Sequence, residues 1–195
     1  TNLHLFCLIY HIYSNYIFLQ GKRLEKLSFT LMDLISLDKQ KIEFNRISTE
    51  KMFNDIEKTV EQMLREHNIR FKMSVEPAVI VGNEDLLKSL FMNIIDNGRK
   101  AISGQGIIAL KAIKTEKGYT VFIQDNGCGM EKSEIKKITE AFYMIDKSRA
   151  RKEGGAGIGM SLCKKIVSIH NAKWSVRSKP GKGTIISIVF QEGQN

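Results

Sequence analysis

The stretch Asp125-Asn126-Gly127-Cys128-Gly129 decides how this chain folds. It follows Tyr119 to Gln124, where Val121 and Ile123 alternate with their neighbours as in a half-buried strand. A carboxylate at a strand end can accept a hydrogen bond from the amino group of adenine, which guanine lacks at that place. Gly127 and Gly129 after it permit positive φ and a close approach of backbone to a flat base. Taken alone, the five residues are equally a tight turn.

Upstream, Ile107 to Lys114 completes a β-hairpin through Lys117-Gly118. Before it, Gly82-Asn83 punctuates the chain ahead of a helix from Glu84 to Ile102, whose buried stripe is Leu87, Leu90, Phe91, Ile94 and Ala101. That helix carries Asn93-Ile94-Ile95-Asp96-Asn97. Asn93 and Asn97 lie one turn apart on one face, with Lys100 nearly a turn further. The amide oxygen of Asn97 is a hard ligand suited to Mg²⁺, which binds few protein groups beside waters and phosphates. Lys100 could meet phosphates directly. Read from this segment alone, the two asparagines are as well explained as surface residues.

Downstream, Met130 to Gly154 is polar, with Ile135, Ile138, Phe142 and Tyr143 among its few apolar residues, and reads as a loop holding a short helix. Gly155-Ala156-Gly157-Ile158-Gly159 then opens a helix from Ile158 to His170, so backbone N–H groups of Gly155, Gly157 and Gly159 could hold phosphate oxygens. No Gly-Lys-Ser or Gly-Lys-Thr closes this run, and it follows no strand, so neither the Walker loop nor the dinucleotide fingerprint applies. Strands Lys173 to Ser178 and Thr184 to Phe190 meet at Pro180-Gly181-Lys182-Gly183. Thr184 is placed to support Asp125 through its hydroxyl.

Towards the N-terminus, two short strands, Ile69 to Val75 and Ala78 to Val81, follow a helix from Thr49 to His67 capped by Ser48 or Thr49. A further helix, Ser14 to Asp38, spaces Leu24, Leu27, Leu31 and Leu34 as a two-heptad seam or an ordinary amphipathic face. Mixed strands and helices in this order predict an α/β sandwich with its helices on one face. The expected division is residues 1–45, a helical piece with an apolar start, and residues 46–195, a nucleotide-binding domain.

Composition narrows the classes. With 195 residues and 43% hydrophobic content, the chain can fill a core. Three scattered cysteines suggest neither a disulfide framework nor a zinc site, and a reducing cytoplasm fits them. The net charge of +9 raises the question of nucleic acid, but no nucleic-acid motif accompanies it. The basic group Lys132, Lys136, Lys137, Lys147, Arg149, Arg151 and Lys152 would serve a triphosphate equally well, or simply a solvated surface. Leu3 to Leu19 is apolar, yet His4, His11, Ser14 and Asn15 interrupt it and it falls short of the roughly 20 residues of a span.

Together the four motifs resemble the N box and the three glycine boxes of the ATPase family that includes gyrase, the heat-shock chaperone ATPase, mismatch-repair ATPases and histidine kinases. Ala141 to Arg149 resembles the phenylalanine box of bacterial sensor histidine kinases, and Arg23 to Leu27 with Leu31 to Leu37 is similar to their second dimerisation helix. The resemblance covers about Tyr16 to Phe190. It implies a two-layer α/β (α+β) sandwich of about five mixed strands on three helices, preceded by an N-terminal helix. ATP and Mg²⁺ would bind beneath a lid of Met130 to Gly154, with Phe142 docking the lid and Lys147, Arg149 or Arg151 near the γ-phosphate.

Asn93 bears on the reaction. Relatives that hydrolyse ATP or phosphorylate serine carry a glutamate there as general base, and an amide cannot take that proton. A neutral imidazole needs no base, because a ring nitrogen already offers its lone pair to phosphorus. The expected function is the catalytic region of a two-component sensor kinase, which transfers the γ-phosphate to histidine and onward to a response-regulator receiver domain. Alternatives are a non-catalytic or hydrolytic nucleotide-binding module of the same family. None of His4, His11, His67 and His170 stands in a phosphoacceptor motif, so this chain is not expected to phosphorylate itself. The complete kinase would be a homodimer, cytoplasmic in this part, with any membrane attachment through upstream regions.

Overall fold

The structure is a computed structural model. It describes residues 42–145 and 157–191 without interruption and, before them, residues 10, 11, 13–18, 20–22, 24, 25, 28, 31, 32 and 37. The elements in chain order are β1 (Asn45–Ser48), α1 (Thr49–Glu66), β2 (Ile69–Val75), β3 (Val79–Gly82), α2 (Glu84–Ala101), β4 (Gly106–Thr115), β5 (Gly118–Asp125), α3 (Lys132–Ile135), α4 (Gly159–Ile169), β6 (Lys173–Ser178) and β7 (Thr184–Phe190).

Local chemistry starts each long helix. The Ser48 hydroxyl accepts from the Lys51 N–H at 3.4 Å, and the Asn83 amide oxygen accepts from the Leu86 N–H at 3.0 Å. Both satisfy N–H groups that a helix start leaves without partners. Glu84 and Asp85 open α2, and Arg99 and Lys100 close it, each charge facing the favourable end of the helix dipole. On α1 the buried residues Met52, Phe53, Ile56, Val60 and Leu64 recur at the helical period, and Asn68 turns the chain into β2 at φ 57°.

The main sheet runs β2-β4-β5-β7-β6. Its β2–β4 pair is parallel, joined through α2, and the remaining pairs are antiparallel. Ile108, Leu110, Val121, Ile123, Ile186 and Ile188 point to one side and bury against α1, α2 and α4. Phe53 and Phe91 join two of those helices with ring centres 5.0 Å apart. This is the two-layer sandwich of a mixed five-stranded sheet and three helices that the sequence predicts.

Most strand limits agree with the sequence reading to within a residue or two. β1 was not foreseen; it pairs antiparallel with β3 in a separate ribbon, Asn45 opposite Gly82 and Ser48 opposite Val79. The described residues from 10 to 32 are helical, and Leu24 is exposed. Leu27 and Leu34 of the expected seam lie outside the described residues. Among the described residues no helix is long and apolar enough to cross a membrane.

Candidate nucleotide site

Helix α2 brings its polar face to the C-terminal end of β5. Asn93 donates through Nδ2 to the Ser89 carbonyl at 2.9 Å, and its Oδ1 lies so near Gly159 that a Cβ there would stand 2.9 Å from it. The first residue of α4 is thus held against the asparagine by being glycine. One turn on, Asn97 Nδ2 is buried without a hydrogen-bond partner among the described residues. A buried amide left unpaired is costly unless a ligand completes it. Lys100 does not stand free: its Nζ lies 2.7 Å from Asp96 Oδ2, and Arg99 Nε lies 2.9 Å from Asp96 Oδ1. To reach a phosphate, Lys100 has to exchange that carboxylate.

Asp125 ends β5 and is 8% exposed. Its Oδ1 accepts from the Gly127 N–H at 2.8 Å. Burial pushes the carboxyl above the usual carboxylate range, and backbone N–H groups of Gly127 and Thr184 draw it back. The support expected from the Thr184 hydroxyl is absent here, because that hydroxyl hydrogen-bonds Ser178 Oγ at 2.9 Å. Thr184 meets Asp125 through the strand register and its backbone.

The glycines around Asp125 differ in their reasons. Gly129 has φ 64°, as expected, and its missing Cβ makes room for the Lys179 carbonyl. Gly127 does not adopt positive φ; it is required because a Cβ would come within 2.7 Å of the Ala101 backbone at the end of α2. The Cys128 N–H donates to the Ala101 carbonyl at 2.9 Å, and the Cys128 carbonyl accepts from the Gly181 N–H at 2.7 Å. Helix end, loop and the 179–183 turn therefore form one packed unit beneath the carboxylate.

Sequence reasoning missed Gly98 and gave no task to Asn126 or Gly183, although both stand within its motifs. Gly98 is buried where a Cβ would lie 3.3 Å from Asp125 Cβ and from Ile108 Cδ1, so it lets α2 sit close to the carboxylate. Gly183, at φ 80°, faces the Asp125 carbonyl, and the Asn126 amide oxygen accepts from the Ile107 N–H at 2.8 Å. The only signal for Gly98 in the sequence is a glycine inside a strongly patterned helix, which usually marks a close packing contact.

The segment after the loop folds back on the third glycine motif. The Phe142 N–H donates to the Gly157 carbonyl at 2.9 Å, with φ 67° at Phe142 and 73° at Gly157. Phe142 is 57% exposed, and its backbone makes this contact. Tyr143 donates its hydroxyl to Glu134, and Lys137 Nζ stands 5.7 Å from the centre of the Tyr143 ring. Lys147, Arg149, Arg151 and Gly155 lie outside the described residues. Of the other expected residues, Thr184 stands opposite Asp125 across β5 and β7 and Asn93 meets Gly159, while Ala101 at the end of α2 packs on Gly127 and Gly98 packs on Asp125. The unpaired Asn97 amide fits a Mg²⁺-bound polyphosphate, because a hard oxygen and a waiting polar contact are what such a ligand requires.

Comparison with known proteins gives a consistent grouping. Residues 82–194 match the family described as histidine kinase-, DNA gyrase B-, and HSP90-like ATPase. The phosphate regulon sensor protein PhoR of Pseudomonas aeruginosa is 30% identical over 149 residues, 76% of this chain and 34% of PhoR. Sporulation kinase C of Bacillus subtilis is 30% identical over 186 residues, 91% of this chain and 40% of the kinase. The chain thus spans well under half the length of these relatives. In fold it is similar to histidine kinase ThkA, solved in complex with the response regulator protein TrrA, with a TM-score of 0.72, 17% identity and coverage of 89% of this chain and 49% of that one.

Proposed function

From the premise that the chain belongs to the histidine kinase-, DNA gyrase B-, and HSP90-like ATPase family, we propose that it is the ATP-binding catalytic region of a two-component sensor histidine kinase. The observation that supports the reading is that Gly98 and Ala101 bring α2, which carries Asn93 and Asn97, against Asp125 and the 127–129 loop, with Asn97 Nδ2 buried and without a partner among the described residues. Residues 46–195 are the catalytic unit, and residues 1–45 hold part of the dimerisation helix.

Each residue has a defined task. Asp125, fixed by the Gly127 N–H, accepts a hydrogen bond from the adenine amino group and rejects guanine. The 127–129 loop presents backbone to the base. Asn97 offers its amide oxygen to Mg²⁺, which when bound neutralises phosphate charge and aligns the γ-phosphorus. Lys100 leaves Asp96 to meet phosphate oxygens, and N–H groups of the Gly155–Gly159 run hold others. Phe142 and its neighbours close over the nucleotide, with Lys147 or Arg149 approaching the γ-phosphate.

Asn93 cannot act as a base. The acceptor must therefore bring its own lone pair, as a neutral imidazole does, and the phosphohistidine then supplies a receiver-domain aspartate. A homodimer, an upstream phosphoacceptor and a cytoplasmic setting complete this proposal. ThkA bound to TrrA supports a receiver domain as partner. The test is incubation with γ-labelled ATP and Mg²⁺, with and without a separately supplied dimerisation domain bearing the acceptor histidine. Acid-labile label on the supplied histidine, and none on this chain alone, is expected. Label on a serine or threonine of the added domain, or on this chain alone, would overturn the reading.

A further inference from the structure

All three long helices cover one side of the main sheet, and no described element covers the other. The strand register shows what that open side carries. One row across the sheet reads Lys72, Ala109, Gln124, Ile185, Arg177, and the next reads Ser74, Lys111, Phe122, Ser187, Ser175. Arg70 on β2 and Lys173 on β6 extend the same face at opposite edges. Arg70, Lys72, Lys111, Lys173 and Arg177 are all exposed, and none has an ion-pair partner among the described residues. No acidic residue of these strands points to this side; Glu76 and Glu116 fall beyond the strand ends. Between the cationic edges lie the half-buried Phe122, Ile185 and Val189.

We propose that this open sheet face docks on an anionic lipid surface. Three features favour lipid over other polyanions. The cations of β2 and β6 are separated by four strand spacings, roughly 19 Å, and a continuous negative surface meets both edges at once. Their long stems compensate for the twist of the sheet while the charged heads stay wet. The face is of one sign, which matches a diffuse negative field better than the mixed signs of a protein partner. Single-stranded nucleic acid on an open sheet needs two or three stacking aromatics, and Phe122 is the only aromatic among the β2, β4, β5, β6 and β7 residues that shares this face. Docked this way, the sandwich turns its helical layer away from the lipid.

Flotation with phosphatidylcholine vesicles, with and without phosphatidylserine, tests the proposal on the chain as it stands. Binding is expected only with phosphatidylserine, and it should weaken as salt rises. Each cation removed near such a surface weakens binding about fivefold, so Lys72→Gln/Arg177→Gln should lose roughly 25-fold. Lys51→Gln/Lys58→Gln removes the same charge from exposed positions on α1 and should leave binding within about twofold. Lys111→Gln/Lys173→Gln repeats the sheet test if the first pair impairs folding. Equal loss in the α1 variant, binding without phosphatidylserine, no vesicle binding at all, or tighter binding of single-stranded RNA than of vesicles would each overturn the proposal.

Discussion

Replacing Gly127 by alanine should damage the nucleotide site from behind. The new Cβ would stand 2.7 Å from the carbonyl carbon, oxygen and Cβ of Ala101, where ordinary contact begins near 3.4 Å. Two of those atoms are backbone, so the end of α2 and the 126–129 loop must separate by about 0.7 Å, an overpacking that costs about 1–3 kcal/mol. The same movement strains the Cys128 N–H···O=C Ala101 hydrogen bond, 2.9 Å in the structure, worth about 1 kcal/mol. For a protein of this size the sum corresponds to a fall in Tm of roughly 5–15 °C. Because Asp125 leads directly into the loop and Asn97 lies on the helix, affinity for an ATP analogue should fall about tenfold or more. Scanning calorimetry and binding titration read the two effects separately. Gly104→Ala is the companion: at φ 79° with nothing within 4 Å, it carries backbone strain of about 1–2 kcal/mol but should leave affinity unchanged. Wild-type melting and affinity in Gly127→Ala would refute the packed unit of helix end and loop.

Gly183→Ala should be worse still, since its Cβ meets the Asp125 carbonyl at 2.0 Å with φ 80°; little soluble folded protein is expected on expression, judged by circular dichroism. His170 gives a pH effect. Its Nε2 accepts from the Asn83 N–H and its Nδ1 donates to the Ile166 carbonyl, and burial holds its pKa below the ordinary value near 6.5. The unfolded chain therefore binds the proton first. Stability should be full above about pH 6.5 and decline as pH falls below it, a slope that denaturant titrations should find flattened in His170→Gln. Cys163, buried with its thiol pKa pushed up, should resist brief alkylation, while exposed Cys128 reacts; peptide mapping distinguishes them.

What the sequence disclosed follows from range. Strands β6 and β7 were legible to the residue because alternation and the Pro180-Gly181 turn are local signals, and the cap Ser48 acts within three residues. β1 was not legible: Asn45–Ser48 is four residues with one buried side chain, and its partner β3 lies more than thirty positions away. The candidate site residues were chosen from their types and order, but their local settings are tertiary. Nothing near Lys100 in the pattern says that Asp96 rather than solvent holds it, although the i,i+4 spacing permits the pair. Gly127 and Gly98 share a residue type with Gly129 yet serve close approach instead of positive φ, a distinction that only the packed partners Ala101 and Asp125 reveal. The structure does place Thr184 opposite Asp125 in the strand register, but Ser178, on the neighbouring strand, takes the Thr184 hydroxyl.

The central claim is that Asp125 and its loop form an adenine site on a Mg-ATP-binding domain. Titration calorimetry of a non-hydrolysable ATP analogue with Mg²⁺, on the wild-type chain and on Asp125→Asn, tests it most directly. The account predicts micromolar-range binding by the wild type that is lost in the variant. Absence of binding to the wild type, or equal affinity in both proteins, would contradict it.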